Sequence, residues 1–362
     1  MTHSALAALI TVVGIGWFAP VSAFAQNPSR SGTEDTSAWT VPRTPDGRPD
    51  LQGYWTTQTF TPLERPAHLA TQEFFSEEET AALQQQLTAE GVDPSAREIL
   101  YIEDRREIER YKYQGQRTPD ERHHIHYDNE IWLRTTVPKG LSSRRTSLIS
   151  DPPDGRFPPL TTTAAARRAA ETTASQLPSA FDSHQTRPWS ERCIAWSHEG
   201  PPMLPPSYND VHQIFQTNDY VVVFSELATN PPRIIPLDGR PEISDTIRQF
   251  PGDSRGQWDG DTLVVETSHF AERRRYRGAS GNLQVVERFT RVAPDRIHYE
   301  FTVTDPTTWT SPWSAEVPMV RTEGPMYEYA CHEGNHDIRH ILEIARNLEL
   351  QASADGAEQH SK

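Results

Sequence analysis

The chain has 362 residues, 35 Lys and Arg against 50 Asp and Glu, and a formal net charge of −15. An acidic chain with no basic patch excludes nucleic acid and anionic membrane surfaces as partners. Thirty prolines, nine tryptophans and few long apolar runs point to a loop-rich, largely β protein, and the length allows one large domain or two small ones.

Residues 4–25 are apolar, are interrupted by Pro20 and end in Ala23-Phe24-Ala25, a signal-peptidase-like site. This reads as a signal peptide over 1–25, so no membrane span is expected after its removal and the protein is expected in the periplasm or secreted. In that oxidising setting Cys193 and Cys331 are expected to form a disulfide, contributing about 4–5 kcal/mol through chain entropy.

Residues 26–44 read as a disordered lead-in and 353–362 as a disordered tail, which leaves one domain over 45–352. Leu51–Phe60 reads as a strand. Ser76-Glu77-Glu78-Glu79 is a capping box that opens a helix to about Leu87. Residues 95–113 and 163–177 are helical by pattern, the latter stopped by Pro178. From Val211 the chain becomes strand-like: 211–215, 220–226, 233–236, 262–267, 283–292, 296–304, 314–321 and 325–330, with hairpin turns at Asp259-Gly260-Asp261 and Ala293-Pro294-Asp295. A helix follows from about Asp337 to Gln351. The expected fold is α+β: an antiparallel meander closing into a barrel, with helices from the N-terminal half and a C-terminal helix. Asp-Gly-Arg recurs at 46–48, 154–156 and 238–240 and reads as repeated tight turns.

Residues 331–336 read Cys-His-Glu-Gly-Asn-His. His332 and His336 have the His-Glu-x-x-His spacing that on a helix holds zinc, with Glu333 activating its water. Gly334 and Asn335 are poor helix formers, however, and place a turn between the histidines. The favoured reading is therefore metal-free: His332 and Glu333 as an acid–base pair on a strand-to-helix corner. Asp253 and Arg255, in a glycine-bounded loop, join them in positioning a polar or anionic substrate. Arg277, His298, Glu300 and Asn335 complete the substrate-binding set. If Ile297, Tyr299, Phe301 and Val303 face the core, His298 and Glu300 face either solvent or a barrel lumen. His124, His126 and Asp128 form His-x-His-x-Asp, an alternative metal site like the first ligand run of metallo-β-lactamase-like hydrolases. His184, His198 and His212 are further histidines that the sequence does not place. No cofactor is favoured; zinc or another divalent metal is the alternative.

The runs 43–55 (RTPDGRPDLQGYW), 145–156 (RTSLISDPPDGR), 252–265 (GDSRGQWDGDTLVV) and 329–335 (YACHEGN) resemble a family of exported bacterial proteins, abundant in acidobacteria and proteobacteria, with no settled activity. The resemblance spans nearly the whole mature chain. It implies Tyr at the position of His336, which leaves His332, Glu333 and Asn335 as the family-like part of the corner. Gly53-x-Trp55 on a first strand, the meander and the C-terminal helix are similar to a lipocalin-type barrel. The leading function is small-molecule chemistry by general acid–base residues, as a hydrolase, lyase or isomerase. The alternatives are a non-catalytic lipocalin-like ligand carrier and a metal-dependent hydrolase.

Overall fold

A computed structural model of the chain describes residues 39–88, 139–195, 200–205, 210–226, 232–272, 276–324 and 326–360. Apart from Trp39 these belong to one compact unit, Thr40–Lys362. The expected signal peptide, the helix over 95–113 and the His124, His126 and Asp128 run lie outside the described residues.

The fold is α+β and mostly antiparallel sheet. Its strands are β1 (Gly53–Thr56), β2 (Ile149–Asp151), β3 (Val211–Gln216), β4 (Tyr220–Ser225), β5 (Arg233–Pro236), β6 (Asp253–Asp259), β7 (Thr262–Ser268), β8 (Gln284–Ala293), β9 (Arg296–Thr304), β10 (Trp313–Glu316) and β11 (Met319–Thr322). The helices are α1 (Glu77–Leu87), α2 (Thr162–Gln176) and α3 (Asp337–His360). The strand order is β5-β4-β3-β1-β11-β9-β8-β7-β6, with β10 on the far half of β9 and β2 on β10. Residues 40–44, read from sequence as part of the lead-in, belong to this unit: Arg43 pairs with Asp261 at 2.8 Å. At the other end α3 continues to His360, past the expected stop at Gln351.

Period-two patterning explains the sheet. On β8 and β9 every second side chain is buried, and Ile297, Tyr299, Phe301 and Val303 all face the core. Trp55, Trp313, Tyr299, Phe289 and Phe301 fill that interior, each at most 1% exposed. Trp55 also satisfies its indole N–H on Leu51 O at 2.8 Å. Helix α1 opens on the expected capping box: Ser76 Oγ accepts from Glu79 N while Glu79 accepts from Ser76 N. It buries Leu83 and Leu87 against Phe60 and Phe75 in a separate small core.

The expected closed barrel is not formed. The sheet curls until its edge strands β5 and β6 lie side by side, but they share no ladder. Among the described residues side chains span the seam: a methyl group on Gly256 would stand 2.8 Å from Ile235 Cγ2 and 2.7 Å from Leu237 Cδ2. Strand β5 is four residues long, with Pro232 just before it and Pro236 at its end, so it offers few amide donors for closure. The bridge is Arg233. From β5 its guanidinium donates to Ser254 Oγ on β6 at 2.9 Å, to Thr267 Oγ1 on β7 at 2.8 Å and bidentately to Glu287 on β8. Tyr299 donates its hydroxyl to Glu287 Oε1 at 2.8 Å and accepts from Met203 N at 2.9 Å. Burial, and then the adjacent Glu287 carboxylate, keeps that phenol protonated far above its ordinary range.

Glu287 is fully buried and the Arg233 side chain is 9% exposed. Removing one partner strands a buried charge, whereas removing both does not. Urea unfolding is expected to show Glu287→Ala destabilised by about 3–5 kcal/mol, and Arg233→Met with Glu287→Leu together costing clearly less. Equal losses in the single and double variants would show that the pair is not the bridge.

Candidate functional site

Strand β1 ends in polar residues that the fold buries: Thr56, Thr57, Thr59 and Thr61 are all at most 6% exposed. Thr59 and Thr61 hold residues 140–142. Thr59 Oγ1 donates to Gly140 O at 3.1 Å and Phe60 N to the same oxygen at 2.8 Å. Lys139 is buried, its ammonium 4.6 Å from the Phe60 ring centroid.

Next to β1 run β3 and β4. Asp210 immediately precedes β3 and Glu226 immediately follows β4, so antiparallel pairing brings the two carboxyl groups to the same end of the sheet. Glu226 N bonds Val211 O at 2.7 Å, and the neighbouring pair His212 and Ser225 meets through Nδ1 and Oγ at 2.8 Å. Thr56 Oγ1 donates to Asp210 Oδ1 at 2.9 Å. Among the described residues the buried Asp210 Oδ2 and Thr57 Oγ1 have no hydrogen-bond partner. Glu226 Oε1 accepts from Tyr327 N at 3.3 Å, which brings the C-terminal segment to the cluster.

Burial is the main force on Asp210 and pushes its carboxyl up to about 6. The Thr56 hydrogen bond and the Lys139 charge pull it down, while the Glu226 carboxylate pushes it further up. The result is a sheltered carboxyl pushed up to about 6, acted on by a cation and a second carboxylate, with His212 two residues on in β3.

The residues singled out from sequence are not gathered in this way. His332 and Glu333 are exposed on a turn: Asn335 N bonds His332 O at 3.3 Å, and Gly334 has φ +70°. Because α3 starts at Asp337, His332 and His336 do not share a helical turn. The segment before them, expected as a strand over 325–330, forms none among its described residues. Asn335 acts as a fastener: its amide donates to Glu191 O at 3.3 Å and to Cys193 Sγ at 3.1 Å, and its Oδ1 accepts from Asp337 N at 3.2 Å. Beside it Cys193 and Cys331 form the expected disulfide, joining positions 138 apart.

Asp253 and Arg255 stand at the start of β6 rather than in a loop, 2.6 Å apart. Their remaining bonds go to the chain. Arg255 donates to the carbonyls of Arg240, Pro241 and Ser254, and Asp253 Oδ2 accepts from Ile243 N at 3.0 Å. They hold the 240–243 loop. Beside that loop buried His269, at φ +57°, contacts Asp245 at 3.1 Å and Ser268 Oγ at 2.6 Å, and Ser268 donates to Glu242.

His298 and Glu300 lie on the outer face of β9, opposite the core, with Nε2 3.1 Å from Oε1. Burial lowers the His298 pKa, but the Glu300 hydrogen bond and charge outweigh it and the net shift is upward; that bond in turn lowers Glu300. Arg277, at φ 48°, is exposed with its guanidinium 5.1 Å from the Phe157 ring.

Among the described residues no three His, Cys, Asp or Glu side chains gather as a metal site, and no helix is long and apolar enough to cross a membrane. Sequence reasoning named His212 without placing it and missed Lys139, Asp210 and Glu226. The one available signal was an acidic residue just before one predicted strand and another at the end of the next. Comparison of the chain with protein families, curated proteins and solved structures finds no match.

The raised pKa fixes the sign of a stability effect. A carboxyl raised from 3.8 to about 6 on folding stabilises the fold fully below pH 3.8 and loses that contribution as pH rises through 6. Relative to Asp210→Asn, the wild type is therefore expected to lose on the order of 3 kcal/mol between about pH 4 and pH 7. Parallel stability curves for the two proteins in urea would show that Asp210 is not perturbed.

Proposed function

We propose that the protein is an exported small-molecule enzyme working by general acid–base chemistry, as a hydrolase, lyase or isomerase, at the Asp210 cluster. One observation carries this reading: a buried carboxyl, pushed up to about 6, with one oxygen that has no hydrogen-bond partner among the described residues. In this reading Asp210 takes and returns the proton. Lys139 and Glu226 shift its charge in opposite directions, and His212 lies two residues on, in β3. Two differently placed carboxyls beside an imidazole suit proton removal from one atom of a substrate and delivery to another.

His332 and Glu333 are given substrate contact at the rim, since their segment reaches Glu226 through Tyr327 and is moored by the disulfide. Asp253 and Arg255 are given a structural role. Export rests on the signal-like leader together with the disulfide, and membership of the exported bacterial family rests on the four sequence runs. The aromatic filling of the interior lends no support to a lipocalin-like carrier.

The test is turnover. The purified protein is incubated with a mixture of small polar metabolites, and consumption is followed by NMR. Asp210→Asn is expected to slow the reaction by about 100-fold or more, the usual weight of a general acid–base group, and to remove a rate dependence centred near pH 6. His332→Ala is expected to raise KM more than it lowers kcat, and to change stability by no more than about 0.5 kcal/mol, as for other exposed substitutions. A folded Asp210→Asn protein with full activity would remove the cluster from the chemistry.

A further inference from the structure

A second polar centre lies away from the Asp210 cluster, where the run 145–156 packs against residues 62–65 and 72–75. The backbone there is tightly tied: Arg65 N bonds Gly155 O at 2.8 Å, Leu148 N bonds Pro62 O at 2.8 Å and Thr146 N bonds Glu73 O at 3.0 Å. Two arginines are buried in it, Arg65 at 4% exposure and Arg145 at 7%. In both, the same two nitrogens, Nε and Nη2, are buried without a hydrogen-bond partner among the described residues. Those two nitrogens form the side edge of a guanidinium, the edge that grips two oxygens of an oxyanion through parallel N–H bonds.

Like charges rarely share a dry site. Arg65 is held below its ordinary pKa by burial first, with Glu73 acting against that and Arg145 adding to it. Acidic groups do approach. Glu73 Oε1 is 3.2 Å from Arg145 Nη2 and Glu316 Oε1 is 3.9 Å from Arg145 Nη1, while Asp154 and Arg156 add opposite charges at the turn. Glu73 thus ion-pairs with one of the four nitrogens without a hydrogen bond to it, and Arg145 Nε and both Arg65 nitrogens have no such partner among the described residues. Buried unmet N–H groups on charged side chains are costly, so their repetition on two neighbouring arginines calls for an occupant. The Gly155 turn packs directly on this centre: a Cβ there would stand 3.1 Å from Arg65 Nε and 2.3 Å from Ser147 Oγ.

We propose that Arg65 and Arg145 form a binding site for a tetrahedral oxyanion, phosphate or sulfate, free or as the terminal group of a small molecule, with Arg156 at its rim. A tetrahedral anion has enough oxygens for two side-on guanidinium edges, whereas a single carboxylate fills only one. This proposal does not depend on the acid–base reading of the Asp210 cluster.

The experiment is isothermal titration of the full chain at constant ionic strength with inorganic phosphate, sulfate, glycerol 3-phosphate and chloride. Saturable binding of one phosphate or sulfate per chain is expected, and none of chloride. Tighter binding of glycerol 3-phosphate than of phosphate would assign the site to an organic phosphate, and the reverse order to the free anion. Arg145→Gln is expected to weaken binding at least 10-fold, and Arg156→Gln to weaken it several-fold. Glu73→Gln removes a competing carboxylate and is expected to tighten binding, which decides the matter if Arg145→Gln fails to fold. The proposal is overturned if neither phosphate nor sulfate gives saturable heat beyond chloride, or if folded Glu73→Gln binds no more tightly than wild type.

Discussion

Arg233 closes a seam that the backbone leaves open. Strands β5 and β6 lie side by side without a ladder, so the curl of the whole sheet depends on what side chains do there. One guanidinium on β5 reaches partners on three further strands: Ser254, Thr267 and Glu287. Both charges are almost wholly out of water and their polar atoms are satisfied by one another, by hydroxyls and by Tyr299. Such a pair adds little net stability over an apolar filling, but it tolerates only one arrangement of the edges it joins. A hydrogen-bonded barrel would have fixed the same curvature through its ladder; here specificity of side-chain contact takes that role.

The site inherits its geometry from this closure. Strands β3 and β4 lie between β1 and the clasped β5, and their shared end carries Asp210 and Glu226. Neither residue is special in isolation. Asp210 becomes a near-neutral acid because the fold buries it and brings Glu226 to it from β4, against the opposing pull of Thr56 and Lys139 from the β1 side. The C-terminal segment then covers Glu226 through Tyr327, and the disulfide at Cys331 holds that cover four residues later. The chain thus brings together groups from positions 56, 139, 210, 226 and 327.

The sequence carried the local part of this plainly. Alternation on β8 and β9, the Ser76 capping box and the Asp-Gly turns are properties of a few neighbouring residues, and each formed where it was read. Strand β6 was read as a loop because Gly252 and Gly256 flank charged Asp253 and Arg255; its pairing with β7 overrides that composition. A single strand expected over 314–321 is two, β10 and β11, interrupted at Val317-Pro318, and they pair with different halves of β9. The site was less legible. The His332–His336 spacing is conspicuous in one dimension yet falls on an exposed turn. The weight of Asp210 comes from burial and from neighbours distant in sequence, and no local pattern encodes either.

Carbon-13 NMR titration of the Asp210 carboxyl, assigned by its loss in Asp210→Asn, addresses the account most directly. A midpoint near 6 in the folded protein is expected, moving upward in Lys139→Met because the ammonium that pulls it down is gone. A midpoint near the ordinary 3.8, unmoved by loss of Lys139, would contradict the account, since the cluster would then hold an ordinary carboxylate with no proton to exchange at neutral pH.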